Sequence, residues 1–210
     1  KPATQVDGSA SIKVTEAEDG PDYVSRGAHK LVGALDAFGL DVAGRHALDA
    51  GASTGGFCDV LLRRGIAAVV AVDVGYGQLA WPVRSDERVT VLERTNVRDL
   101  TADMLPFAPD LVVGDLSFIS LRLVLPPLAA VATPDADLAL MVKPQFEVGK
   151  DLVGAGGVVR DPALRSDAVR RIAVAAWDLG LGTAGVVASP LPGPSGNVEY
   201  FLHLRRGADP

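Results

Sequence analysis

Four charged residues stand where apolar runs stop: Asp49 in ALDAG, Asp73 after AAVVAV, Asp115 after DLVVG and Lys143 after DLALMV. If the runs are parallel strands, their carboxyl ends share one edge, the edge where open α/β sheets hold ligands. Three carboxylates and a lysine converging there suit a small polar ligand and reaction chemistry. For Asp115 and Lys143 the alternative is a structural ion pair. The turn after Asp49 sharpens the reading. In ALDAGASTGGF, Gly51, Gly55 and Gly56 let the backbone approach a ligand, and the next helix offers free N–H groups. Asp73, ending the second strand, stands where the acid of such folds takes a ribose diol. The spacing is D-x-G-x-x-x-G-G rather than G-x-G-x-x-G, so no pyrophosphate turn of the dinucleotide type is implied. The competing reading is a packing turn with no ligand.

The elements that must carry these residues follow in chain order. Residues 1–22 are small, polar and acidic and read as a linker or remnant; a start at Lys-Pro-Ala-Thr suggests truncation. A helix is expected from Ser25, with Leu31, Leu35 and Phe38 at helical spacing and Gly39 as its stop. It carries Lys30, which as a lone helix lysine would simply be solvated. RVTVLE predicts a third strand leading to Asn96, an amide able to meet an adenine edge or to form an ordinary turn. The segment 144–160 is a long glycine-rich loop on the ligand edge, of a length that is functional or disordered. Asp161-Pro162 opens a helix closed by Gly180. Two last strands, about 183–189 and 198–205, flank PLPGPSGN, too short for a helical crossover, so they pair antiparallel at the sheet edge. Glu199 lies at the start of the last one.

The bulk properties agree with one domain. The chain has 210 residues, 48% of them hydrophobic, enough for a full α/β core. Its single cysteine, Cys58, excludes a disulfide framework and reads as a buried small hydrophobe, and no Cys/His spacing suits a metal. A net charge of −6 argues against a coat of basic charge for nucleic acid, so any RNA contact is local. With no signal core or membrane-length apolar run, the expected location is cytoplasmic.

The glycine turn is similar to motif I of the S-adenosylmethionine methyltransferases, and YVSRGAHKL, LDAGASTGGF, VDVGYGQLAW, DLSFISL, VKPQFEVGK and SPLPGPSGNVEYF together resemble the TlyA family. These are bacterial ribosomal RNA methyltransferases also known as haemolysins, and they resemble the FtsJ/RrmJ-like ribose 2′-O-methyltransferases. The match runs from about Tyr23 to Arg205. It implies a Rossmann-like, class I methyltransferase domain over residues 23–210. The expected sheet has seven strands, mostly parallel, with a C-terminal antiparallel hairpin and helices on both faces. It also implies an N-terminal RNA-binding domain of the ribosomal S-four type, whose closing segment KPAT resembles and which this chain lacks. Where the family often has Thr the chain has Cys58, a change expected to be silent.

By the same resemblance, S-adenosylmethionine is the cofactor. Its site would comprise Asp49, Gly51, Ala52, Ser53, Thr54, Gly55, Gly56, Phe57, Asp73, Val74, Asn96 and Asp115. The family's Lys-Asp-Lys-Glu tetrad falls on Lys30, Asp115, Lys143 and Glu199. A ribose hydroxyl is a weak nucleophile that must lose its proton or have its developing charge stabilised. Lys143 is the candidate base or cationic stabiliser, with Lys30 lowering its pKa and Asp115 and Glu199 raising it and fixing its direction. Arg26, Lys30, Lys150 and Arg160 are the candidate RNA contacts, positioning phosphate without reading sequence. The implied partner is ribosomal RNA in its subunits, at a cytidine of the small and possibly the large subunit. No integral membrane association is expected, and the oligomeric state is open, with a monomer favoured. The competing readings are a membrane-active haemolysin and a catalytically silent RNA-binding scaffold.

Overall fold

The computed structural model describes residues 22–209, so the linker assigned to residues 1–22 lies almost wholly outside the described residues. Seven strands form one sheet: β1 His46–Ala50, β2 Ala68–Val72, β3 Val89–Leu92, β4 Leu111–Gly114, β5 Asp137–Val142, β6 Gly182–Ala188 and β7 Tyr200–Arg205. Their order is β3-β2-β1-β4-β5-β7-β6. The first five run parallel, and β7 lies antiparallel to both β5 and β6. The C-terminal pair is therefore an edge hairpin, as its short connection requires.

The inner parallel strands are apolar apart from His46 and Asp49 in β1 and Asp137 at the start of β5, because both faces are covered. Ala47, Val69, Val113 and Met141 face one core, shared with α1 (Ala28–Phe38) and α2 (Gly56–Arg63). Leu48, Val70, Val112 and Leu140 face the other, shared with α4 (Leu125–Val131) and α6 (Pro162–Trp177). At the edge, β6 alternates between half-buried and exposed residues, the pattern of a strand covered on one side.

Helix α1 starts three residues later than the sequence suggested. The Ser25 hydroxyl accepts from the Gly27 N–H at 3.0 Å and forms the turn before the helix instead of capping it. Gly39 ends α1 at φ 63°, and the Asp161 carboxylate caps α6 by accepting from Ala163 N–H. Two short helices, α3 (Trp81–Arg84) and α5 (Pro144–Glu147), sit on the carboxyl side of β2 and β5. The long loop is a chain of tight turns: after α5 come 3-10 turns at Lys150–Leu152 and Ala155–Gly157. Asn197 pins it, accepting from Val159 N–H at 2.9 Å and donating to the Gly157 carbonyl at 2.8 Å. This contact spans the hairpin connection and the loop, and no local pattern announces it.

Candidate active site

Parallel register puts the ends of β1, β4 and β5 side by side, with Ala50 opposite Gly114 and Gly114 opposite Leu140. Asp115 and Lys143 each follow directly from these strands. Lys143 Nζ lies 2.6 Å from Asp115 Oδ1. Lys30 arrives from α1, and its Nζ donates to Glu199 Oε2 at 2.6 Å while standing 3.6 Å from Asp115 Oδ2. Asp115 thus bridges two lysines, and four residues from four distant segments form one chain of alternating charge. Lys30, Lys143 and Glu199 are 8%, 7% and 1% exposed, so none is a solvated surface charge. Burial at these levels is tolerated because each charge has a counter-charge.

Next to this cluster is a cleft of about 730 Å³, a size that suits a small-molecule ligand, with Gly51, Ser53, Asp73, Asn96, Arg98 and Asp115 on its walls. Three features fit the S-adenosylmethionine that the resemblance implies. The Asp73 carboxylate is held in place, accepting from Ser53 N–H at 2.8 Å and Gly75 N–H at 2.7 Å. Gly51 lines the cleft at φ +85°, and a Cβ there would meet the Asp115 carbonyl oxygen and the Leu116 side chain at 3.0 Å, so the turn packs against the end of β4 and reaches the cleft wall only as glycine. Asp49 lies fully buried beneath the turn, taking the Cys58 thiol on Oδ2 at 3.1 Å, while Oδ1 has no partner among the described residues. Burial pushes the Asp49 carboxyl up to about 7, against the Cys58 hydrogen bond that lowers it and with the Asp115 charge raising it further. Asp73 and Asp115 outnumber Arg98 on the cleft walls, which favours a ligand carrying positive charge over a phosphate.

The other expected cradle residues fall in different places. Gly55 and Gly56 are buried and turned into helix packing, where an added Cβ would meet Leu79 at 2.9 Å and Ser25 at 3.1 Å respectively. Phe57 packs near Phe201 with ring centroids 6.0 Å apart, and Ala52 is buried, whereas Thr54 is exposed on the turn. Val74 is 69% exposed at the cleft rim. Asn96 combines both of its readings: its Oδ1 caps the 3-10 turn at Val97–Asp99, and the residue lines the cleft. Cys58 is buried, and its thiol is raised well above its ordinary value by burial and then by Asp49.

A second cleft, about 950 Å³, opens beside Lys30 and has Arg26, Pro192, Gly193 and Gly196 on its walls. Of the four expected RNA contacts it gathers Arg26 and Lys30. Lys150 and Arg160 are exposed on the pinned loop and do not line it. Two site residues escaped the sequence reading. Ser117 accepts from Lys143 Nζ at 2.8 Å, and Gln145 Nε2 donates to Glu199 Oε1 at 3.2 Å. Their signal was position alone: each lies two residues beyond a strand-end charge.

Residues 23–206 match the family model described as FtsJ-like methyltransferase. The 16S/23S rRNA (cytidine-2′-O)-methyltransferase TlyA of Mycobacterium tuberculosis is 63% identical over 210 residues, covering 100% of this chain and 78% of that protein. The 23S rRNA (cytidine-2′-O)-methyltransferase TlyA of Campylobacter jejuni is 35% identical, covering 86% and 70%. A crystal structure from Lactococcus lactis, provisionally described as a hemolysin, superposes with a TM-score of 0.84 at 45% identity, covering 87% of this chain and 88% of that one. Among the described residues no helix is long and apolar enough to cross a membrane.

Proposed function

The chain belongs to the FtsJ-like methyltransferases, and from that premise we propose that it transfers a methyl group from S-adenosylmethionine to the ribose 2′-hydroxyl of a cytidine in ribosomal RNA. The observation that carries this reading is the Glu199–Lys30–Asp115–Lys143 chain, buried but for the part-exposed Asp115 that reaches the cleft beside it. S-adenosylmethionine, when bound, supplies a methyl group on a positively charged sulfur. Lys143 Nζ as a neutral amine would take the proton that the ribose hydroxyl loses on methylation; as an ammonium it would face the developing negative oxygen while that proton leaves to water. Asp115 lines the cofactor cleft and contacts both lysines, so it would hold the lysines at a fixed place relative to a bound methyl donor, and such positioning supplies much of the acceleration.

Asp73 holds the ribose of the cofactor, and Asp49, fully buried beneath the glycine turn with Cys58 as its partner, supports the turn that carries Gly51 to the cleft. Arg26, beside Lys30, together with Lys150 and Arg160, holds RNA phosphates. In this reading residues 23–210 are the catalytic domain, the substrate is ribosomal RNA in its subunits, and the place of action is the cytoplasm.

The test is methyl incorporation. Ribosomal subunits lacking the modification are incubated with the chain and S-adenosylmethionine, digested to nucleosides and analysed by mass spectrometry. 2′-O-methylcytidine is expected with the wild type. With Lys143→Ala its rate should fall by about 10²–10⁴ while calorimetric cofactor binding persists. No ribose methylation by the wild type, or methylation of a base, overturns the reading.

A further inference from the structure

Lys143 has two neighbours that hold its amine, and they act differently. Asp115 Oδ1 makes a charge contact at 2.6 Å, yet that oxygen has no hydrogen-bond partner in this geometry. Ser117 Oγ, at 2.8 Å, accepts a true hydrogen bond from Nζ. Charge fixes where an amine sits but scarcely how it turns about its Cε–Nζ bond; a hydrogen bond fixes the turn. Among the described residues Ser117 is the one hydrogen-bond acceptor for Lys143 Nζ. Ser117 also lines the cofactor cleft with Asp115, at the junction of cofactor and amine.

We propose that Ser117 is the positioning residue of the methyl transfer, turning Lys143 Nζ so that its free lone pair, or its free N–H, points at the ribose hydroxyl. The proposal rests on the methyltransferase reading above. With one N–H tied to Ser117 and the amine drawn to Asp115, the remaining direction is set in either protonation state. A neutral amine would then take the hydroxyl proton along the direction that Ser117 leaves open as the O–CH₃ bond forms and the S–CH₃ bond breaks with its pair left on sulfur; an ammonium would instead point its free N–H at the developing oxyanion while the proton leaves to water. Removing the Ser117 hydroxyl leaves Lys143 buried and paired but free to turn. The chemical step slows while cofactor binding stays.

The test compares Ser117→Thr, which keeps a hydroxyl, with Ser117→Val, which has the same shape without it. Two readouts are taken on the full chain. The first is kcat and its pH profile on ribosomal subunits, beside calorimetric affinity for S-adenosylmethionine. Ser117→Val is expected to lower kcat about 10- to 100-fold, the scale of a small misplacement, and to displace the pH profile, while Ser117→Thr stays near the wild type. The second needs no turnover: acetic anhydride labelling of Lys143 against pH, read by peptide mass spectrometry with Lys150 as the internal standard. Labelling of Lys143 should rise several-fold in Ser117→Val and not in Ser117→Thr. Equal behaviour of the two variants in either readout overturns the proposal. If the wild type methylates nothing, the functional reading falls, and the labelling comparison still decides whether Ser117 holds Lys143.

Discussion

Lys30 and Glu199, 169 residues apart in the chain, meet through a 2.6 Å hydrogen-bonded ion pair in which both side chains are almost fully buried. Removing one partner of such a pair leaves an uncompensated buried charge, whereas replacing both with apolar groups can be neutral. Lys30→Met alone should therefore cost about 3–5 kcal/mol of stability, and Lys30→Met with Glu199→Leu should recover much of it. Methyl transfer should recover in neither. Thermal denaturation and turnover of the two variants separate the structural part of the pair from its catalytic part; activity returning with stability would reduce the pair to a packing device.

Asp73 carries a different load. Its two oxygens are already engaged by Ser53 N–H and Gly75 N–H, so it both shapes the turn and presents charge to the cleft. Asp73→Ala should lose about 1.5–3 kcal/mol of cofactor binding, the range for a charged hydrogen bond, or about 10- to 100-fold in Kd. Asp73→Asn keeps an acceptor and should lose less. Calorimetric titration with S-adenosylmethionine checks both, and an unchanged Kd for Asp73→Ala would remove the residue from the cofactor site.

These residues were legible in the sequence for a physical reason. A parallel sheet places the ends of its strands on one edge, so Asp73, Asp115 and Lys143 declare themselves by ending apolar runs. The antiparallel hairpin was legible because its connection is too short to cross over. The glycines were not equally informative: all three make room for protein atoms, Gly51 for the Asp115 carbonyl and Leu116, Gly55 for Leu79 and Gly56 for Ser25, and among them Gly51 also lines the cleft. Sequence spacing cannot separate a glycine that admits a ligand from one that admits a helix. Ser117, Gln145 and Asn197 act on partners 26, 54 and 38 residues away. Contacts of that separation depend on how loops fold back over the sheet, and no periodicity encodes them.

Asn197 offers a test of how the pinned loop matters. Asn197 is 3% exposed, and its side chain satisfies Val159 N–H, on a residue itself 2% exposed. Asn197→Ala leaves that donor buried and unpaired, at a cost of about 1–3 kcal/mol. Because the loop lies outside the two main cores, the loss should appear locally: faster protease cleavage between Gly149 and Arg160, with a smaller change in the global denaturation midpoint. Lys150 and Arg160 ride on this loop, so the salt dependence of RNA binding should also flatten in Asn197→Ala. Uniform destabilisation without faster loop cleavage would show that the pin belongs to the global fold.

The Asp49 carboxyl, buried with Cys58 as its partner and the charges of Asp115 and Asp73 near it, has its pKa pushed from 3.8 up to about 7. An acid raised on folding binds more protons in the folded than in the unfolded chain between those two values. Stability therefore falls as pH rises through that window, by at most about 1.4 kcal/mol per pH unit, and levels off above it. Asp49→Asn keeps the shape and an acceptor for the thiol but cannot ionise. Groups that titrate alike in both proteins cancel in their difference. Denaturant midpoints measured from pH 5 to pH 8 should show the Asn variant gaining on the wild type up to about pH 7, then holding a constant lead. A difference that stays flat over that range would mean that Asp49 is ionised throughout, and its free oxygen would then already carry charge before any cationic ligand arrives.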